Sequence, residues 1–81
     1  SRDDAFTRVG EALGGIEGAT IASRAQLLGT YDVSYEGASF LVRVSGVEAG
    51  AYVTAVDPRG LPATSPAATK LLAALKAKLG G

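Results

Sequence analysis

Asp32, Glu36, Glu48 and Asp57 are the acids whose spacing could bring two carboxylates together, the pairing that glycoside hydrolysis requires. Their local sequence argues for solvated carboxylates instead. Asp32 falls on the polar side of an alternating segment, and the other three fall in turns or loops. Ser and Thr are plentiful, but the chain has no His, and no Lys stands in a motif that would activate a hydroxyl. Lys70 is the one Lys of the last helix outside its final turn, and its neighbours mark an exposed helical face. With no Cys there is no thiolate nucleophile, disulfide or zinc–thiolate site. Gly10, Gly14, Gly15 and Gly18 do not follow a strand as a phosphate-binding loop demands, and no calcium-type spacing of acidic ligands occurs. The sequence therefore predicts no catalytic, cofactor-binding or metal-binding residue and a domain that acts through its exterior. Tyr31, Tyr35, Tyr52 and Arg43 are the candidates for a partner-facing surface, because Tyr and Arg are favoured at interfaces. The competing reading has the tyrosine rings filling the core with their hydroxyls reaching water. Arg43, set between apolar neighbours, could anchor an acidic partner or simply break up an exposed face.

The elements that must position these residues follow from periodicity. Asp3 or Asp4 can open a helix, and Phe6, Val9, Leu13 and Ile16 share one face of it before Gly14-Gly15 stops it. Gly18 to Arg24 permits a short, weakly apolar edge strand, and Ala25 to Leu28 a turn or an extended link. From Gly29 the alternation of Tyr31, Val33 and Tyr35 with polar residues predicts a half-buried strand. Glu36-Gly37-Ala38 turns the chain into a second strand, Ser39 to Ser45, with Phe40, Val42 and Val44 on one face and Leu41 and Arg43 on the other. Gly46 to Gly50 reads as a loop, and Ala51 to Val56 as a third strong strand. Asp57-Pro58-Arg59-Gly60 is a turn by composition. Ser65 then caps a helix whose first residue is Pro66, whose apolar stripe is Ala68, Leu71, Leu72, Leu75 and Leu79, and whose end is Gly80. The expected fold is α+β: an antiparallel sheet of three to four strands wrapped around the C-terminal helix, in the order α-β-β-β-β-α. In that packing, sheet and helix leave no internal chamber.

Size and charge bound the function further. Eighty-one residues make one domain, with a core too small to enclose a large cavity cheaply. Eight acidic and eight basic side chains balance, so the surplus of cations that phosphate binding needs is missing and nucleic acid is not an expected partner. The charge is uneven: acids predominate over residues 1–36 and bases over 57–81, as solvated helix faces or as a weak steering dipole. No apolar run reaches the roughly 20 residues a membrane-spanning helix needs. The chain lacks Met even at position 1, which suggests a processed or excised piece, with any signal peptide upstream.

Three segments resemble the helix-grip domains of the BamC (NlpB/DapX) lipoprotein family. Ala5-Phe6-Thr7-Arg8-Val9-Gly10-Glu11-Ala12-Leu13 is similar to that family's opening helix, and Gly29-Thr30-Tyr31-Asp32-Val33-Ser34-Tyr35 to its first strong strand. Val53-Thr54-Ala55-Val56-Asp57-Pro58-Arg59-Gly60, running through Thr64 into the last helix, is the third. The sequence departs from some members in closing its hairpin directly at Glu36-Gly37-Ala38, without a long excursion. The resemblance implies an accessory lipoprotein of the complex that assembles β-barrel proteins in the outer membrane. It implies other assembly proteins as partners, a lipid anchor upstream, a location in the cell envelope, no catalysis and no cofactor. It also implies a groove beside the C-terminal helix open to a peptide or loop. Two other functions fit the same shape: a small-molecule or lipid carrier, which needs a pocket of several hundred cubic ångströms, and a periplasmic docking or inhibitory domain using residues 19–24 as an edge. A Pro at Ile21 that spared folding and abolished binding would mark the last.

Overall fold

The computed structural model describes residues 2–47 and 50–80. Its first element, α1 (Arg2–Gly14), carries Asp3 and Asp4 in the first turn, where their charges suit the positive end of the helix dipole. Phe6, Val9 and Leu13 are its buried stripe, as the three-four spacing predicts, and Ile16 is buried just beyond it. Four strands follow: β1 (Ala19–Ala25), β2 (Thr30–Tyr35), β3 (Ala38–Val47) and β4 (Gly50–Val56). They form one antiparallel sheet in the order β1-β2-β3-β4, and α2 (Pro66–Lys78) completes the chain. The α+β order α-β-β-β-β-α is thus the observed one.

Strand alternation sorts the residues cleanly. Tyr31, Val33 and Tyr35 from β2, Phe40, Val42 and Val44 from β3, and Ala55 from β4 meet α1 and α2 in a single core. α2 contributes Ala67, Ala68, Leu71 and Leu75. Both helices therefore cover the same face of the sheet, and α1 shares with α2 the role that sequence periodicity assigned chiefly to α2. On the other face Asp32, Ser34, Ser39 and Arg43 are exposed.

The connections show local chemistry. Between β1 and β2 the chain makes a single 3-10 turn, Gln26–Leu28, closed by Gly29 at φ 68°. A side chain at Gly29 would be strained by that φ, and its Cβ would lie 2.5 Å from the Val44 carbonyl oxygen. β2 and β3 join through Glu36 and Gly37, both at positive φ (50° and 80°), the signature of a two-residue hairpin turn matched to strand twist. Ala38 pairs with Tyr35 and belongs to β3 rather than to the turn. The predicted loop from Gly46 to Gly50 is shorter than expected, because pairing continues through Gly46–Ala51 and Val47–Gly50. Glycine's weak strand preference suggested an early break there; the long β3–β4 ladder overrides it.

The turn after β4 is held by the Asp57 carboxylate. Its Oδ1 accepts the backbone N–H of Arg59 at 2.9 Å and of Leu61 at 3.0 Å, while Oδ2 accepts from the Arg59 guanidinium at 2.9 Å. Hydrogen bonding from Arg59, with those backbone donors, holds the Asp57 carboxyl below the usual carboxylate range. Ser65 Oγ then accepts the Ala68 N–H at 3.2 Å, and Pro66 occupies the first turn of α2.

An apolar groove between the last strand and the last helix

β4 is one edge of the sheet, so its outward backbone groups need partners. Part of that need is met by the chain itself. Asp57 donates its N–H to the Leu61 carbonyl at 2.7 Å, Ala63 donates to the Ala55 carbonyl at 2.9 Å, and Val56 faces Pro62 between these two bonds. Ala55 and Asp57 thus direct their backbone outward, and alternation makes Val53 do the same. A second bond agrees. Val53 lies opposite Val44, and Val44 donates its N–H away from β4, to the Gly29 carbonyl at 2.7 Å. Among the described residues nothing pairs with the Val53 N–H and C=O, because the chain leaves the sheet edge at Ala63 to begin α2 at Ser65.

Beside that open edge runs a groove of about 670 Å³. Val53, Ala55 and the buried Leu75 line its base, the half-buried Leu72 and Leu79 its helical side, and Pro62 and Ala63 one end. It arises because the apolar stripe of α2 is broader than the core uses. Ala68, Leu71 and Leu75 are buried, whereas Leu72 and Leu79 pack against the core only in part and border the groove beside β4. Lys76 is the one charged residue on the lining, and among the described residues it has no ion-pair partner. Tyr52, 61% exposed, stands on the rim.

The four residues singled out for a partner surface do not form one patch. Tyr31 and Tyr35 are core residues, 1% and 6% exposed, on the helix-covered face. The Tyr31 ring stacks on Phe6 with centroids 4.3 Å apart, and its hydroxyl donates to the Phe6 carbonyl at 2.6 Å rather than reaching water. The Arg24 guanidinium lies 5.6 Å from the same ring centroid. Tyr52 and Arg43 are exposed, and of the four only Tyr52 borders the groove. Tyr alternation with polar residues was the visible clue to burial; what no pattern could reveal is the acceptor at Phe6, twenty-five positions away.

The acids do not converge either. Glu36 accepts from Lys70 at 2.7 Å, an exposed pair that raises the Lys70 pKa, and Asp57 is taken by Arg59. Asp32 is exposed on β2, and Glu48 lies outside the described residues. Among the described residues no three His, Cys, Asp or Glu side chains stand together as metal ligands would, and no helix is long and apolar enough to cross a membrane. β1 is the other sheet edge, as predicted, but a bulge at Ala22 shifts its register between Ile21 (opposite Val33) and Ser23 (opposite Asp32). Such a break blunts an edge for strand pairing. No protein-family model, curated protein or solved structure that was compared with the chain matches it.

Proposed function

We propose that this chain is a non-enzymatic protein-interaction domain that receives its partner in the groove between β4 and α2. The observation that carries the reading is the coincidence of an apolar trough with unpaired strand backbone at Val53. Apolar lining supplies affinity, and directional backbone groups demand a partner that has backbone of its own. The three segments similar to NlpB/DapX lipoproteins support a place in outer-membrane β-barrel assembly, within the cell envelope and among other assembly proteins.

Affinity purification from native membranes tests the reading. A tagged chain in its natural context should retain insertase components, and Leu72→Gln, which places an amide in the groove wall, should release them while the exposed Asp32→Asn change should not. Loss of the components from the unaltered protein as well would refute the assembly role. Retention by a folded Leu72→Gln variant would refute the groove.

The groove's volume also falls within the range of small-ligand sites, which favours a carrier as the second reading. A lipid would leave the Val53 backbone unpaired, and for that reason the protein partner ranks first. A native mass spectrum showing a stoichiometric small ligand would reverse the order.

A further inference from the structure

The groove has a built-in register, and it specifies more than a generic protein partner. Residues 61–63 already lie antiparallel along the outer edge of β4, as the opening of a fifth strand. That strand stops when the chain turns away at Ser65, leaving its continuation vacant opposite Val53. In an antiparallel pair, residues directly opposite share a face of the sheet. A residue placed opposite Val53 would therefore exchange two main-chain bonds with it and send its side chain into the trough beside Leu72 and Leu79. Its immediate neighbours would point to the open face, past Tyr52. The trough is mainly apolar, with Tyr52 and Thr54 as neutral polar residues and Lys76 as its one charge, whose ammonium faces no carboxylate of this chain among the described residues.

We infer that the site takes an extended peptide that completes the sheet as a fifth strand. It runs antiparallel to β4, in line with residues 61–63, with a large apolar side chain opposite Val53 and an acidic side chain that meets Lys76. The inference rests on the groove being the partner site and adds the partner's conformation, direction and chemistry. Strand addition explains why the lining can be shallow: main-chain bonds supply part of the affinity and alternate side chains supply the selectivity.

The probe is an acetylated and amidated peptide of eight residues, alternating leucine and threonine with one glutamate, titrated into ¹⁵N-labelled protein. Shifts should concentrate at Val53, Leu72 and Leu79. Methylating the probe's backbone nitrogens that face β4 should weaken binding by about tenfold or more, and methylating the alternate nitrogens should not, because only the first set bonds to the edge. Val53→Pro should have the same effect as the first methylation. Proline is tolerated on an edge strand whose N–H points away from the sheet, so the variant should keep its fold, which its amide spectrum reports. Lys76→Gln, or glutamine for glutamate in the probe, should each weaken binding by about two- to fivefold, and the two losses should not add. A nitroxide on the probe's N-terminus should broaden Ala63, and one on its C-terminus should not. Equal affinity for the two methylated probes, or for the folded Val53→Pro variant, overturns strand addition while leaving the groove as a partner site. Failure of the peptide where decanoate produces the same shifts overturns both.

Discussion

Gly10→Ala is the substitution whose outcome the fold predicts against ordinary expectation. Gly10 lies inside α1, where alanine normally gains about 1 kcal/mol over glycine. Here an added Cβ would run into the Tyr31 hydroxyl and lie 2.9 Å from Cζ and 3.2 Å from Cε1 of the same ring. The ring is held in place, being stacked on Phe6 and tied by its hydroxyl to the Phe6 carbonyl, so withdrawing it breaks both contacts. Overpacking of this kind costs about 1–3 kcal/mol. Losing the hydroxyl's bond costs about 0.5–1.5 kcal/mol more. Against the helical gain, a net destabilisation of about 2 kcal/mol remains. In a domain of this size that lowers the melting temperature by about 8–16 °C. Gly14→Ala, at the end of the same helix with nothing within 4 Å of the added carbon, should instead raise stability by up to about 0.5 kcal/mol. Urea unfolding followed by circular dichroism measures both. A Gly10→Ala protein as stable as the parent, or two variants moving in the same direction, would refute the packing described around Tyr31.

Three further outcomes are expected. Ser65→Ala should cost about 1 kcal/mol, because it removes the hydroxyl that accepts the Ala68 N–H, and Ser65→Asp should restore most of it; thermal melts decide. Asp57 has a folded pKa below its ordinary 3.8, so its contribution is present above that value and lost as pH falls through the lowered one. Asp57→Asn should therefore be less stable than the parent at pH 7 and lose less stability on acidification, as parallel urea titrations would report. Burial pushes the Tyr31 phenol above its ordinary 10.0, against the opposing pull of Arg24. Its contribution is complete below pH 10.0 and disappears as pH rises towards the folded value, so absorbance titration should find this tyrosine ionising late and Tyr31→Phe should flatten that alkaline loss.

How far the sequence disclosed the fold differs from element to element. α2 was legible almost to the residue, because Ser65-Pro66 fixes its start by local hydrogen bonding and sterics. β2 was equally plain, its Tyr31-Val33-Tyr35 alternation mapping directly onto burial. β1 was faint, since its residues are mostly exposed and a bulge breaks the period that would have revealed it. The 3-10 turn is legible only as one of two alternatives, a turn or an extended link, because Leu27 and Leu28, 94% and 73% exposed, are hydrophobic residues that nothing covers. The groove belongs to the same class. Leu72 and Leu79 count as core by periodicity, and only the meeting of α2 with β4 shows that they are half-buried and also line a groove. Position along a helix is a local property, and what stands across from it is not.

The irregularity at Ala22 reaches beyond β1 itself. A flat four-stranded sheet with two unguarded margins can grow by adding copies of itself indefinitely. In this molecule one margin is interrupted by an unmatched residue, and the far end of the other, opposite Ala55 and Val56, is occupied by residues 61–63. Lateral growth from the β1 side is thereby stunted, and pairing between copies is confined to the short run of β4 that residues 61–63 leave uncovered.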